Sequence, residues 1–344
     1  MTVGFIGGKF LPLHLGHVYA IVQASSIVDE LYVVLSHSEV RDRQLCEHSK
    51  MAYIPPHIRL RWLSQLTKDM PHVKVISIKD DQGNEDYNWA EGASDIKKAI
   101  GKRIDYVFSS EYEYNEIFNE LYPEAKHELI DPNRGHVNIS ATAIRNEGVF
   151  LYWEYIPDFV KPYFVKKVVV VGTESCGKSA LTRNLAKIYN TSYVEEYGRT
   201  VCEELGGCDG IMVKEDYHKI AYGHKLEEIK AIEKANKVVF IDTEAIVTQF
   251  YSNLYNHEHQ AVLDEIASLQ DYDLWLYLEP DVKWVDDGLR VHGEKEVRLQ
   301  NNEALKTLLK KHNLDYQVLS GDYKDRLQSA IGHIEELLKI SESD

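Results

Sequence analysis

Gly172-Thr173-Glu174-Ser175-Cys176-Gly177-Lys178-Ser179 constrains this chain more than any other stretch of it. The octapeptide fits G-x-x-x-x-G-K-[ST], follows the four valines Val168–Val171, and leads into the helical period of Ala180–Tyr189. Strand, glycine-rich turn and helix in that order build a cradle in which backbone N–H groups and the positive helix end face an anion. In such a cradle the lysine reaches the β and γ phosphates of a nucleoside triphosphate and the serine hydroxyl serves Mg²⁺. Gly172, Glu174, Ser175, Cys176, Gly177, Lys178, Ser179 and Ala180 are therefore the candidate ATP contacts. A chance glycine-rich turn is the weaker explanation, because all five features occur in order.

The valine run belongs to a wider alternation of short apolar runs with longer helical periods. In the first half the runs are Val3–Ile6, Leu31–Leu35, Val73–Ile78 and Tyr106–Ser109, separated by helical stretches such as Val18–Ile27, Arg59–Met70 and Ser94–Ile100. In the second half they are Val168–Val171, Val238–Ile241, Leu274–Leu278 and Val318–Leu319, with helices over Lys214–Ala235 and Arg326–Ile340. Strands alternating with helices predict parallel βαβ units, hence an α/β fold of two doubly wound parallel sheets. The 344 residues suit two domains. The join falls in Phe150–Lys167, an aromatic stretch with Pro157 and Pro162, which predicts domains at 1–160 and 161–344. That stretch reads either as a segment packed between the domains or as a helix of the first.

Charge and composition narrow the function classes. Lys and Arg number 39 against 55 Asp and Glu, a net −16, which disfavours nucleic acid and anionic membrane as general partners. No apolar run approaches the ~18–20 residues of a membrane span. The N-terminal residues lack a signal-peptide pattern. Cys46, Cys176, Cys202 and Cys208 form no CxxC pair, so no disulfide and a cytoplasmic location are expected.

Beyond the octapeptide, several residues could carry acceptor chemistry. Glu196, Tyr197 and Arg199 follow the strand-like Thr191–Val194, at the carboxyl end where ligands collect in such sheets. Asp242 ends the run Val238–Ile241, the place of an acid acting on Mg²⁺ or its water; a plain helix cap is the alternative. Trp284-Val285-Asp286-Asp287-Gly288-Leu289-Arg290, with Arg298, reads as a lid whose arginines meet phosphoryl charge. A solvated helix face paired with Glu294 and Glu296 is the other reading of these arginines.

The first domain carries a different phosphate signature. Gly7-Gly8-Lys9-Phe10 closes the first strand, and His14-Leu15-Gly16-His17 opens a helix with two histidines on one face. Zinc is disfavoured, since HExxH spacing and a third ligand are absent. Asn138-Ile139-Ser140-Ala141-Thr142-Ala143-Ile144-Arg145 forms a second helix start, capped by Ser140, with a hydroxyl at Thr142 and a guanidinium at Arg145.

HxGH near the N-terminus with ISxTxIR near the end of the domain resembles the nucleotidylyltransferase superfamily, specifically nicotinamide mononucleotide adenylyltransferases. Joined to a P-loop domain with EYGR, FIDT and WVDDGLR, the chain from Val3 to about Ile340 resembles the bifunctional NadR family, which couples that enzyme to a ribosylnicotinamide kinase. The resemblance implies NAD synthesis from nicotinamide riboside through nicotinamide mononucleotide, with ATP and Mg²⁺ used in each step. It implies that Gly8, Lys9, Phe10, His14, His17, Ser140, Thr142 and Arg145 hold ATP in the adenylyltransferase, His14 and His17 acting in catalysis. Trp89 resembles the aromatic that stacks on nicotinamide, with a buried core tryptophan as the alternative. In the kinase it implies Lys178, Asp242 and Arg290 in catalysis, Asp242 as proton acceptor, and Ser179 with Asp242 on Mg²⁺. Glu196 and Arg199 would address the riboside's sugar or the phosphates, and Trp284 or Tyr197 would stack on its cationic ring, which aromatic faces attract. Enterobacterial members begin with a helix-turn-helix domain; nothing lies ahead of Val3, so no DNA partner is expected. The oligomeric state stays open, a homo-oligomer included. A kinase alone, or a nucleotide-sensing regulator with an inactive first domain, are the alternative readings.

Overall fold

Each β-branched or aromatic run forms a strand, and each longer period forms a helix. The computed structural model describes residues 1–80, 88–208, 210–282 and 294–343, and divides into the units Met1–Lys161 and Pro162–Lys339. The first unit runs β1 (Val3–Gly8), α1 (Leu15–Ser25), β2 (Glu30–His37), α2 (Glu39–Glu47), α3 (Pro56–Thr67) and β3 (Val73–Lys79). It continues with α4 (Trp89–Ile100), β4 (Tyr106–Ser109), α5 (Asn115–Leu121), β5 (Lys126–Leu129) and α6 (Ala141–Glu147). Its strands lie in the order β3-β2-β1-β4-β5, all parallel. Chain direction across the sheet reverses between β1 and β4, and that crevice is where such sheets take ligands.

The second unit runs β6 (Lys166–Val171), α7 (Lys178–Ile188), β7 (Tyr193–Val194), α8 (Tyr197–Leu205), α9 (Lys214–Lys234) and β8 (Val238–Asp242). Then follow α10 (Ala245–Asn256), α11 (Ala261–Ser268), β9 (Leu274–Leu278), α12 (Lys295–Lys311), β10 (Gln317–Leu319) and α13 (Tyr323–Ser343). Its parallel strands lie in the order β10-β9-β6-β8-β7. Val168 and Val170 of the central strand pack with Leu185, Phe240, Leu276, Ala330 and Ile334, all buried. In the first unit Phe5, Tyr32 and Val34 pack with Ile96, Ile100 and Val107. The two doubly wound parallel sheets are thus present.

The structure departs from the sequence reading at edges and joins. β5 was not expected: Lys126-His127-Glu128-Leu129 is mostly polar, as an edge strand with one partner tolerates. Phe150–Lys167 is not one helix. It forms two single 3₁₀ turns, Trp153–Tyr155 and Lys161–Tyr163, because Pro157 and Pro162 deny the chain N–H donors. No described helix is long and apolar enough to cross a membrane.

Candidate functional site

In the first unit, α1 begins with a reciprocal cap built from two histidines. The His17 N–H donates to His14 Nδ1 and the His14 N–H to His17 Nδ1, both at 3.4 Å. With each Nδ1 accepting, each Nε2 carries the proton, so the stacked rings (centroids 3.7 Å apart) both offer an N–H donor. A Cβ on Gly16 would lie 3.0 Å from the His14 ring, which explains the glycine between them. Phe10 packs edge-on against His17, and Arg145 of α6 donates to the Leu11 carbonyl at 2.7 Å and to Thr142 Oγ1 at 3.0 Å. Ser140 caps α6 by accepting from Ala143 N–H. Local capping chemistry thus brings both motifs to the end of β1.

The electrostatics set the charge of the pair. Burial, then the nearby Arg145 and Arg134, pull the His17 pKa down to about 3; burial, His17 and the same arginines push His14 lower still. Both rings are neutral donors until an anion arrives. The consequence for stability has a definite sign. Above about pH 6.5 neither state binds these protons; below it the unfolded chain takes them up and the native chain does not. The first unit should therefore lose stability as pH falls from 7 to 5, by roughly 1–2 kcal/mol per histidine. Unfolding midpoints across that range check this, and an identical slope in His14→Gln would assign the loss to other groups.

Lys9 is not a lone cation. Its Nζ lies 2.5 Å from Asp42 Oδ1, and the fully buried Arg59 donates to Asp42 Oδ2 at 2.6 Å and to the Lys9 carbonyl at 2.8 Å. Two cations share one acid, which leaves a net positive charge beside Gly8. The same loop lines a cavity of about 590 Å³ at the β1–β4 crevice, together with Ser36, Arg41, Trp89 and Tyr114 among others. Trp89 is half-buried at the start of α4, its ring centroid 5.1 Å from Tyr114 and 5.9 Å from Phe118. It is a wall of the cavity rather than part of the packed interior.

In the second unit the octapeptide turns at Gly172 (φ +148°), where a Cβ would sit 2.7 Å from the Leu278 carbonyl, and at Gly177 (φ +95°). Lys178 opens α7, is 6% exposed, and donates to the Thr173 carbonyl at 3.1 Å. Arg326 of α13 pins the loop from behind: its buried guanidinium donates to Cys176 O at 2.6 Å, Glu279 O at 2.9 Å and Gly321 O at 2.9 Å, and pairs with Asp281. Register places Asp242 beside Val170, at the mouth of the loop. Asp242 is not a cap, since Glu244 caps α10. Its carboxyl accepts from Ser179, and burial with the neighbouring Glu196 pushes its pKa up to about 6 against the pull of Lys178. Asp242 Oδ2 is buried with no hydrogen-bond partner among the described residues. A hydroxyl beside an unpartnered carboxylate oxygen, at the edge of a phosphate cradle, is a donor set that fits Mg²⁺.

Glu174 through Ala180 line a pocket of about 280 Å³ together with Glu196, Tyr197 and Arg199. Tyr197 is tightly seated, because a Cβ on Gly223 of α9 would meet its ring at 2.3 Å. Glu196 precedes α8 but accepts no capping bond, which leaves its carboxylate to the pocket. The sequence reading missed Tyr217, His224, Tyr251 and Tyr255 on the same wall. They lie on helices whose apolar period gives no sign that one flank faces a pocket. Trp284 and Arg290 lie outside the described residues. Arg298 is buried and bonds the Val282 carbonyl through both terminal nitrogens at 3.3 Å, so it is not on a solvated face.

The expectation of no disulfide is also corrected. Cys202 and Cys208 are joined, their Cα atoms 5.1 Å apart. Gly206 ends α8 in the left-handed conformation (φ +77°) and folds the chain back, so cysteines six apart meet without a CxxC spacing.

Known proteins share this arrangement. Residues 5–147 match the cytidylyltransferase-like family and residues 167–326 the AAA domain family. Over 98% of its length the chain is 37% identical to the trifunctional NAD biosynthesis/regulator protein NadR of Salmonella typhimurium, covering 83% of that protein. It is 38% identical, with the same coverages, to the corresponding protein of Escherichia coli. A crystal structure of a NadR protein in complex with NR superposes with a TM-score of 0.79 at 27% identity, over 98% of this chain and 96% of that one. A second, in complex with NAD and AMP-PNP, gives 0.77 at 26% identity with the same coverages.

Proposed function

Because the chain belongs to the NadR family, we propose that it makes NAD from nicotinamide riboside in two steps, one in each unit. The observation that carries this reading is that each unit holds its own cluster of groups suited to phosphate, of unrelated design: the histidine pair with Arg145, and the P-loop with Asp242. The complexes of related proteins with NR, and with NAD and AMP-PNP, support the same substrates here.

In the second unit the 5′-hydroxyl of the riboside attacks the γ-phosphorus of ATP. An oxygen–phosphorus bond forms, the bond to the β,γ-bridging oxygen breaks, and ADP leaves. Lys178 steadies the phosphates. Ser179 and Asp242 would hold Mg²⁺, which supplies charge neutralisation at the phosphates when bound. Of the two roles the sequence leaves to Asp242, its contact with Ser179 favours the metal role. The hydroxyl proton then passes to Glu196, the carboxylate that neighbours Asp242 in this pocket.

In the first unit the phosphate of the mononucleotide attacks the α-phosphorus of a second ATP, and pyrophosphate leaves. The attacking group is already an anion, so positioning and charge neutralisation do the catalysis. His14, His17, Ser140, Thr142 and Arg145 hold the triphosphate, Gly8, Lys9 and Phe10 shape the loop between the subsites, and Trp89 stacks on the pyridinium. The net charge of −16 supports small-molecule substrates with no DNA partner. Incubation with Mg-ATP and nicotinamide riboside, followed by chromatography, should give NAD with the mononucleotide as a transient. Mononucleotide accumulating without NAD would mark a kinase alone, and no turnover would mark a nucleotide sensor.

A further inference from the structure

His224 lies on α9 with 8% of its surface exposed, and its ring reaches the end of β8. There Nε2 bonds the main-chain carbonyl of Asp242 at 3.2 Å. A carbonyl oxygen only accepts, so Nε2 carries the proton and Nδ1 keeps a lone pair. Among the described residues Nδ1 has no hydrogen-bond partner, while the ring lines the 280 Å³ pocket. The helix beneath it is held in place: Glu228, buried one turn on, accepts from Lys225 at 2.8 Å and from the Tyr272 hydroxyl at 2.9 Å. The result is a fixed acceptor, aimed by the same strand end that presents Asp242. An acceptor that lines a pocket and receives no hydrogen bond from the protein is open to a ligand hydroxyl.

The chemistry of the occupant follows from what the wall offers. Lys178, Ser179 and the N–H groups of the loop are donors and suit phosphate, which at neutral pH has little to donate. His224 and Glu196 are acceptors and need donors. A nicotinamide riboside offers its sugar hydroxyls and, at the far end of the molecule, a carboxamide. His224 stands at Asp242, next to the phosphoryl-transfer position, so the group that reaches it is on the sugar. We propose that His224 Nδ1 accepts a hydrogen bond from a secondary ribose hydroxyl of the riboside, and thereby sets the preference of the kinase for ribose over deoxyribose. The proposal rests on the assignment of this pocket to nicotinamide riboside and adds a residue to it.

Two variants separate this role from a structural one. His224→Gln can place an amide donor where Nε2 stood, keeping the bond to the Asp242 carbonyl, but has no acceptor at the Nδ1 position. His224→Asn does the reverse. Kinase kinetics would be measured with nicotinamide riboside and its 2′-deoxy and 3′-deoxy analogues. The wild type should prefer the riboside over one analogue by roughly tenfold in kcat/KM, the worth of one buried hydrogen bond. His224→Gln should raise KM for the riboside by a similar factor, leave kcat and the ATP KM within about threefold, and lose the preference. His224→Asn should keep the preference. A preference that survives in Gln, or is lost only in Asn, would show that the ring merely supports Asp242. If the Gln variant fails to fold, the wild type alone still decides: undiminished kcat/KM with both analogues overturns the proposal. Failure of the wild type to phosphorylate nicotinamide riboside would instead remove the assignment on which it rests.

Discussion

His17→Ala is expected to lower NAD formation from nicotinamide mononucleotide by about 10²–10³-fold, the usual cost of one preorganised donor to developing charge. Riboside phosphorylation should remain within about twofold, because His17 belongs to the first unit and the P-loop to the second. The alanine removes the Nε2 donor and also the acceptor of the His14 N–H, so a weakened α1 could imitate a catalytic loss. The capping part should cost no more than ~1–2 kcal/mol and would show as a lower unfolding midpoint. His17→Gln separates the two effects, since its amide can present a donor near the Nε2 position. Partial recovery in Gln at an unchanged midpoint would identify the donor as what matters. Equal loss of both activities in the alanine variant would show that His17 is structural and that the two-site reading needs revision.

How far the sequence could reach depended on distance along the chain. The valine run and the octapeptide are local, so strand, cradle and helix were legible as strings. Asp242 was legible because a strand that ends in an acid beside the P-loop strand needs only register to arrive there. Lys9 was found, but not Asp42 and Arg59, which meet it from 33 and 50 residues away and change a free cation into a shared one. Arg326 was invisible for the same reason: its bond to Cys176 O spans 150 residues, and nothing near either end announces the other. The charge state of His14 and His17 was not legible, because it is set by burial and by guanidinium groups from residues 134 and 145. Cys202 and Cys208 lay close in sequence, yet the pairing turned on the left-handed glycine that follows α8, a conformational fact and not a spacing. Propensity and pattern reveal elements; charge states and positioning groups depend on contacts made only after the elements pack.

Lys178→Ala is the complementary experiment and the stricter one. Its ammonium lines the ligand pocket and donates to the Thr173 carbonyl, so alanine removes little packing, while Arg326 still anchors the loop at Cys176. The ligand-free unfolding midpoint should hardly move. The kinase should fall by at least about 10²–10³-fold, the loss expected if the ammonium meets the departing γ-phosphoryl as proposed. A second effect adds to the first. Lys178 restrains the upward pKa shift of Asp242, and without it that carboxyl ionises less readily beside Glu196. Supplied with nicotinamide riboside, the variant should make neither mononucleotide nor NAD, because the first step is blocked. Supplied with the mononucleotide, it should make NAD at the wild-type rate, through His14, His17 and Arg145 in the other unit. A folded Lys178→Ala protein that adenylylates poorly would mean that the sites are coupled, and the independence inferred from two separate phosphate grips would be wrong.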